Sequence, residues 1–135
     1  MTTASRPKVL AVDDRRENLV ALQAILEGLA VDVVAVGGGE DALKKLLVDD
    51  FAVILLDAQM PGMDGFETAE HIKRRERTRH VPILFLTAKA MPGDRDKSLA
   101  AGASDYITKP VDLDRLLTVM RSWLVGRTAI DGETT

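Results

Sequence analysis

The chain has no cysteine, which excludes disulfides, thiolate chemistry and cysteine-ligated zinc together. It has no apolar stretch of membrane-spanning length. Its opening residues, Met1 to Pro7, are polar and carry no apolar core of the kind a secretory signal needs. It has no excess of positive charge: 18 Lys and Arg stand against 21 Asp and Glu, a net charge of -3. A general nucleic-acid surface is therefore not expected. These absences point to a cytoplasmic protein with no direct nucleic-acid contact and no membrane insertion. Its 135 residues suffice for one well-buried domain and are too few for two.

What the chain does have is a set of short apolar runs, each ending in a polar residue. Val9-Leu10-Ala11-Val12 precedes Asp13-Asp14, Ala52-Val53-Ile54-Leu55-Leu56 precedes Asp57, and Ile83-Leu84-Phe85-Leu86 precedes Thr87. Tyr106-Ile107-Thr108 leads into Lys109-Pro110. Runs this short and apolar read as strands buried on both faces of a parallel sheet. Val31 to Val36 is β-branched and short, and reads as a further strand.

Helical patterns fill the intervals. Glu17 to Leu29 carries Leu19, Leu22, Ala24, Ile25, Leu26 and Leu29, and Glu40 to Val48 carries Ala42, Leu43, Leu46 and Leu47. Asp64 with Glu67 reads as a cap and its partner, opening a helix to about Arg77 with Phe66, Ala69 and Ile72 inward. Pro92 and Asp94 begin a short helix that Gly102 closes. Asp112 caps a last helix through Leu113, Leu116, Leu117, Met120, Trp123 and Leu124.

Strict alternation with right-handed crossovers predicts an α/β fold, a doubly wound five-stranded parallel sheet. The flavodoxin-like order 2-1-3-4-5, (βα)5, suits this length, and its switch point falls between the first and third strands. Those strands carry Asp13-Asp14 and Asp57. The domain is expected over residues 8–126, with a disordered segment at 1–7 and a flexible tail at 127–135.

Parallel strands bring all their carboxyl ends to one edge, so three carboxylates, a hydroxyl and an ammonium should meet there. Carboxylates packed together repel unless a cation relieves them. Magnesium, which takes one or two carboxylates, a phosphate and waters, is the natural relief. Lys109 and Thr87 would hold anionic oxygen from the other side, an arrangement suited to phosphoryl transfer. Asp57, on the middle strand, is the candidate nucleophile, since carboxylates can accept a phosphoryl group.

These residues closely resemble the receiver domains of two-component response regulators, of the chemotaxis-regulator type. The matching motifs are Val12-Asp13-Asp14, the run from Leu56 to Gly65, Leu86-Thr87-Ala88, the run from Ala101 to Tyr106, and Lys109-Pro110, in that order along essentially the whole chain. The resemblance implies that Asp57 takes its phosphoryl group from the phosphohistidine of a histidine kinase or histidine phosphotransfer domain. It implies Mg2+ ligated by Asp14, Asp57 and the Gln59 main-chain carbonyl, with Asp13 acting mainly through water. Lys109, on a cis Lys109-Pro110 bond, would pair with a phosphoryl oxygen. Thr87 would turn toward another oxygen, and Tyr106 would swing into the vacated space. The fourth helix, fifth strand and fifth helix would form the output face toward a downstream effector or fused domain. Gln59 and Lys89 would tune how water reaches the aspartyl phosphate, with Lys89 shielding it. Phosphorylation and dephosphorylation would be self-catalysed, without a separate substrate.

Two rival functions carry less. A magnesium-dependent phosphohydrolase needs a general acid two residues past its nucleophile, where Gln59 stands. A non-phosphorylated protein-binding module would have lost part of the set Asp13, Asp14, Asp57, Thr87 and Lys109, which is complete. Gly37-Gly38-Gly39 reads as a turn, not a phosphate loop. The basic run Lys73 to Arg79 reads as a solvated face at a helix end, and His71 and His80 as chemically idle. Trp123 reads as packing against or covering the last helix, and if exposed would mark a homodimer contact. The chain reads either as a stand-alone regulator or as a receiver segment of a longer protein, with a slight leaning toward receivers attached to sensor kinases.

Overall fold

The computed structural model describes residues 6–87, 93–108 and 114–122. Within them run β1 (Lys8–Val12), α1 (Arg16–Leu26), β2 (Asp32–Val36), α2 (Gly39–Val48), β3 (Val53–Asp57), α3 (Gly65–Arg74), β4 (Ile83–Thr87), α4 (Asp94–Ala100) and β5 (Asp105–Thr108). A last helix, α5, covers residues 114–122. The five strands form one parallel sheet in the order β2-β1-β3-β4-β5, as the alternation predicted. The expected Asp112 cap, Trp123 and the two chain ends lie outside the described residues.

Period-two alternation sends each strand's side chains to opposite faces. Leu10, Val12, Ile54, Leu56, Ile83 and Phe85 pack with Ala42 and Leu46 of α2 and Ala69 and Ile72 of α3. Val9, Ala11, Val53, Leu55, Leu84 and Leu86 pack on the other side with Leu22 and Leu26 of α1 and Leu116 and Met120 of α5. β3 and β4 are buried at every position because helices cover both faces. That double cover explains why their sequences are unbroken apolar runs.

Local signals hold at two element ends. Asp64 Oδ1 accepts the Glu67 N–H at 2.9 Å and so caps α3. Gly102, at φ 101°, ends α4 in the left-handed region that glycine tolerates. Two details differ. Leu47, grouped with the buried face of α2, is 59% exposed. The helix expected to reach Arg77 stops at Arg74, because Arg75 turns extended and Thr78 Oγ1 donates to the Ile72 carbonyl at 2.7 Å.

The basic run after α3 is correspondingly more than a solvated face. Lys73 Nζ donates to the carbonyls of Arg79 and Val81, both at 2.8 Å, and its burial lowers its pKa. Arg77 reaches back to α2, donating to the Leu47 carbonyl at 2.9 Å and to Asp50 Oδ1 at 3.1 Å. Lys73 thus ties the α3–β4 connection to α3, and Arg77 ties it to the end of α2. No helix among the described residues is long and apolar enough to cross a membrane.

Candidate functional site

β1 and β3 are neighbours, with Val12 opposite Leu56, so the residues just beyond Val12 and at the end of β3 share one edge. There one carboxylate oxygen each from Asp13, Asp14 and Asp57 lie within 4.8 Å of one another. Asp13 is 1% exposed and Asp57 6%, while Asp14 faces solvent. Two buried carboxylates beside an exposed third form a site reachable from outside but shaped by protein dipoles.

The two buried acids are held locally. Asp13 Oδ1 accepts the Arg15 N–H at 2.9 Å, a turn that opens α1. The Asn18 side-chain amide donates to Oδ1 at 3.2 Å and to Oδ2 at 3.1 Å. Asp57 Oδ1 accepts the Gln59 N–H at 3.4 Å, a weak bond that sets the direction of the following loop. Beyond it, the Gly65 N–H donates to the Ala58 carbonyl at 3.1 Å, so α3 starts directly against the end of β3.

Thr87 is 1% exposed, at the end of β4 and one residue beyond Leu86, which pairs with Asp57. It lies opposite Thr108, while Phe85 lies opposite Tyr106, so Tyr106 sits one side-chain step back from Thr87 on the same face. The Tyr106 ring packs on the cluster containing Phe85, and its hydroxyl oxygen is buried. Phe66 of α3 stacks on Phe85 with centroids 5.0 Å apart, and Lys97 of α4 sits 4.4 Å above the Phe66 ring.

The fold thus gathers Asp13, Asp14, Asp57 and Thr87 at one edge, with Gln59 following Asp57. Lys109, Pro110 and Lys89 lie outside the described residues. Asn18 was missed as a site residue; its only sequence signal is a polar residue in the first turn of the helix that Asp13 precedes.

A model of the response regulator receiver domain matches residues 9–121. The chain belongs to this family. Receiver domains are signalling phosphoacceptors of two-component systems rather than enzymes with a separate substrate. This receiver is 40% identical over 126 residues to the sensor histidine kinase GacS of Pseudomonas protegens, covering 90% of this chain and 14% of the kinase. It is 39% identical over 124 residues to the response regulator PleD of Caulobacter vibrioides, covering 92% of this chain and 27% of the regulator. The receiver therefore spans only a small part of these curated relatives.

Its fold is similar to that of the chemotaxis protein CheY4 of Vibrio cholerae, with TM-score 0.81, 31% identity and coverage of 87% of this chain and 98% of that one. It is also similar to the receiver domain of a Pseudomonas aeruginosa sensor histidine kinase, with TM-score 0.80, 33% identity and coverage of 87% and 97%. That structure has a magnesium ion coordinated in the active site cleft.

Proposed function

We propose that this receiver is a magnesium-dependent phosphoacceptor in which Asp57 takes a phosphoryl group from a phosphohistidine. The observation that carries the reading is the meeting of the Asp13, Asp14 and Asp57 carboxylates within 4.8 Å. Acids this close, two of them buried, fit a hard cation with oxygen ligands. Asp14, Asp57 and the Gln59 main-chain carbonyl would hold Mg2+ directly and Asp13 through water. The bound ion would neutralise charge on the phosphoryl oxygens.

In the transfer, a carboxylate oxygen of Asp57 forms a bond to phosphorus as the P–N bond to the donor imidazole breaks. The electron pair leaves with the imidazole nitrogen, which then takes up a proton. Lys109 pairs with one phosphoryl oxygen, and the Thr87 hydroxyl donates to another. As Thr87 turns, Tyr106 beside it adjusts, and the surface formed by α4, β5 and α5 changes toward its effector. Gln59 and Lys89 govern the approach of water, and so the lifetime of the phosphoryl group.

The donor is a histidine kinase or histidine phosphotransfer domain, and the recipient of the signal a downstream protein or a fused domain. Similarity to GacS, a sensor histidine kinase, favours a receiver that works as one module of a longer kinase. A cytoplasmic location fits that role.

The test is incubation with acetyl phosphate and Mg2+, followed by intact-mass spectrometry. The wild type is expected to gain one phosphoryl group and Asp57→Asn none. Equal uptake by both, or none by the wild type, overturns the reading.

A further inference from the structure

Asn18 occupies the third position of α1, where its side chain satisfies no helix N–H, and asparagine is an indifferent helix former. Its amide instead donates to both oxygens of Asp13, at 3.2 and 3.1 Å. The Arg15 N–H bond to Asp13 already serves the helix start, so helix capping does not account for the Asn18 contact. A carboxylate turns freely about its Cβ–Cγ bond, within a broad torsional well. An amide group lying across both oxygens fixes that plane.

We propose that Asn18 is a positioning residue for the divalent cation, acting through Asp13. This rests on the reading of the acidic cluster as a magnesium site. Asp13 is buried, so protein groups set its orientation more than bulk water does. The chemistry of the donor matters as well. A lysine here would supply similar hydrogen bonds together with a full positive charge, competing with the ion for the same carboxylate. A neutral amide aligns Asp13 without adding a positive charge beside it. Partners outside the direct ligand set, here acting through Asp13 and its water, commonly change metal affinity by about 10- to 100-fold when removed.

The experiment is a Mg2+ titration of wild type, Asn18→Leu and Asn18→Ala, followed by backbone amide shifts in solution NMR. Asn18→Leu keeps the side-chain volume and removes both donors. Both variants are expected to bind Mg2+ about ten-fold more weakly, while melting without metal within a few degrees of the wild type. Wild-type affinity in both variants overturns the inference. A second measurement needs no substitution: the Asn18 side-chain NH2 resonances of the wild type should shift with the same midpoint as the metal titration. Resonances that stay fixed while the backbone of the cluster shifts also overturn it. A wild type that binds no Mg2+ defeats the underlying reading of the site instead, so the two failures are distinct.

Discussion

Gly65 abuts Asp57 so closely that a Cβ at position 65 would run into the Asp57 carbonyl oxygen, with the Ala58 Cα only 2.8 Å away. Both obstacles are main chain, so neither can rotate aside. The first residue of α3 and the last of β3 are in effect one packed unit.

Replacing Gly65 with alanine should therefore move the end of β3 rather than only crowd a helix. Overpacking of this kind costs about 1–3 kcal/mol. The expected outcome for Gly65→Ala is a lower urea midpoint together with slower phosphoryl uptake from acetyl phosphate. Chemical denaturation and time-resolved mass spectrometry measure the two effects. An unchanged midpoint would show that the strand end yields freely.

Lys8 and Asp49 tie the start of β1 to the end of α2, with Nζ and Oδ1 2.8 Å apart. The hydrogen bond to Lys8 holds the Asp49 carboxyl below its ordinary value of 3.8. An acid with a depressed folded-state pKa stabilises the fold above its unfolded pKa and loses that contribution as pH falls through the folded one. Between about pH 5 and 3, the wild type should lose more stability than Asp49→Asn. Urea midpoints across that range are the check, and added salt should narrow the gap because the pair is solvent-accessible. Parallel curves for the two proteins would show that the pair is idle.

The role proposed for Lys89, two residues past Thr87, would be expressed only once Asp57 is modified. With its ammonium removed, water should reach the aspartyl phosphate more easily. Lys89→Ala is expected to lose its phosphoryl group several-fold faster than the wild type while taking it up normally. Following the decay by phosphate release after removal of the donor measures this directly. An unaltered decay rate would leave Lys89 without a part in tuning.

Much of the site was legible because a parallel sheet is a strongly constrained object. Short apolar runs ending at Asp13, Asp57 and Thr87 can be buried on both faces only in a sheet covered by helices, and that sheet aligns their ends. The helix end after Arg74 was less legible. It depends on Thr78 reaching back to the Ile72 carbonyl, a contact that no local pattern of apolar residues announces. The same is true of Lys73, which reads as a surface cation until the carbonyls of Arg79 and Val81 close around it.

The residues alone determined the order of elements, the five strands and the acids that end two of them, because apolar periodicity and chain direction are properties of the linear pattern. Only folding in three dimensions decided that Asn18 lies across both oxygens of Asp13, and that Gly65 must be free of a side chain. Those relations arise where separate elements approach within a hydrogen bond or a van der Waals contact. Approach distances of that kind are set by packing of the whole sheet and its helices, not by any local stretch of chain.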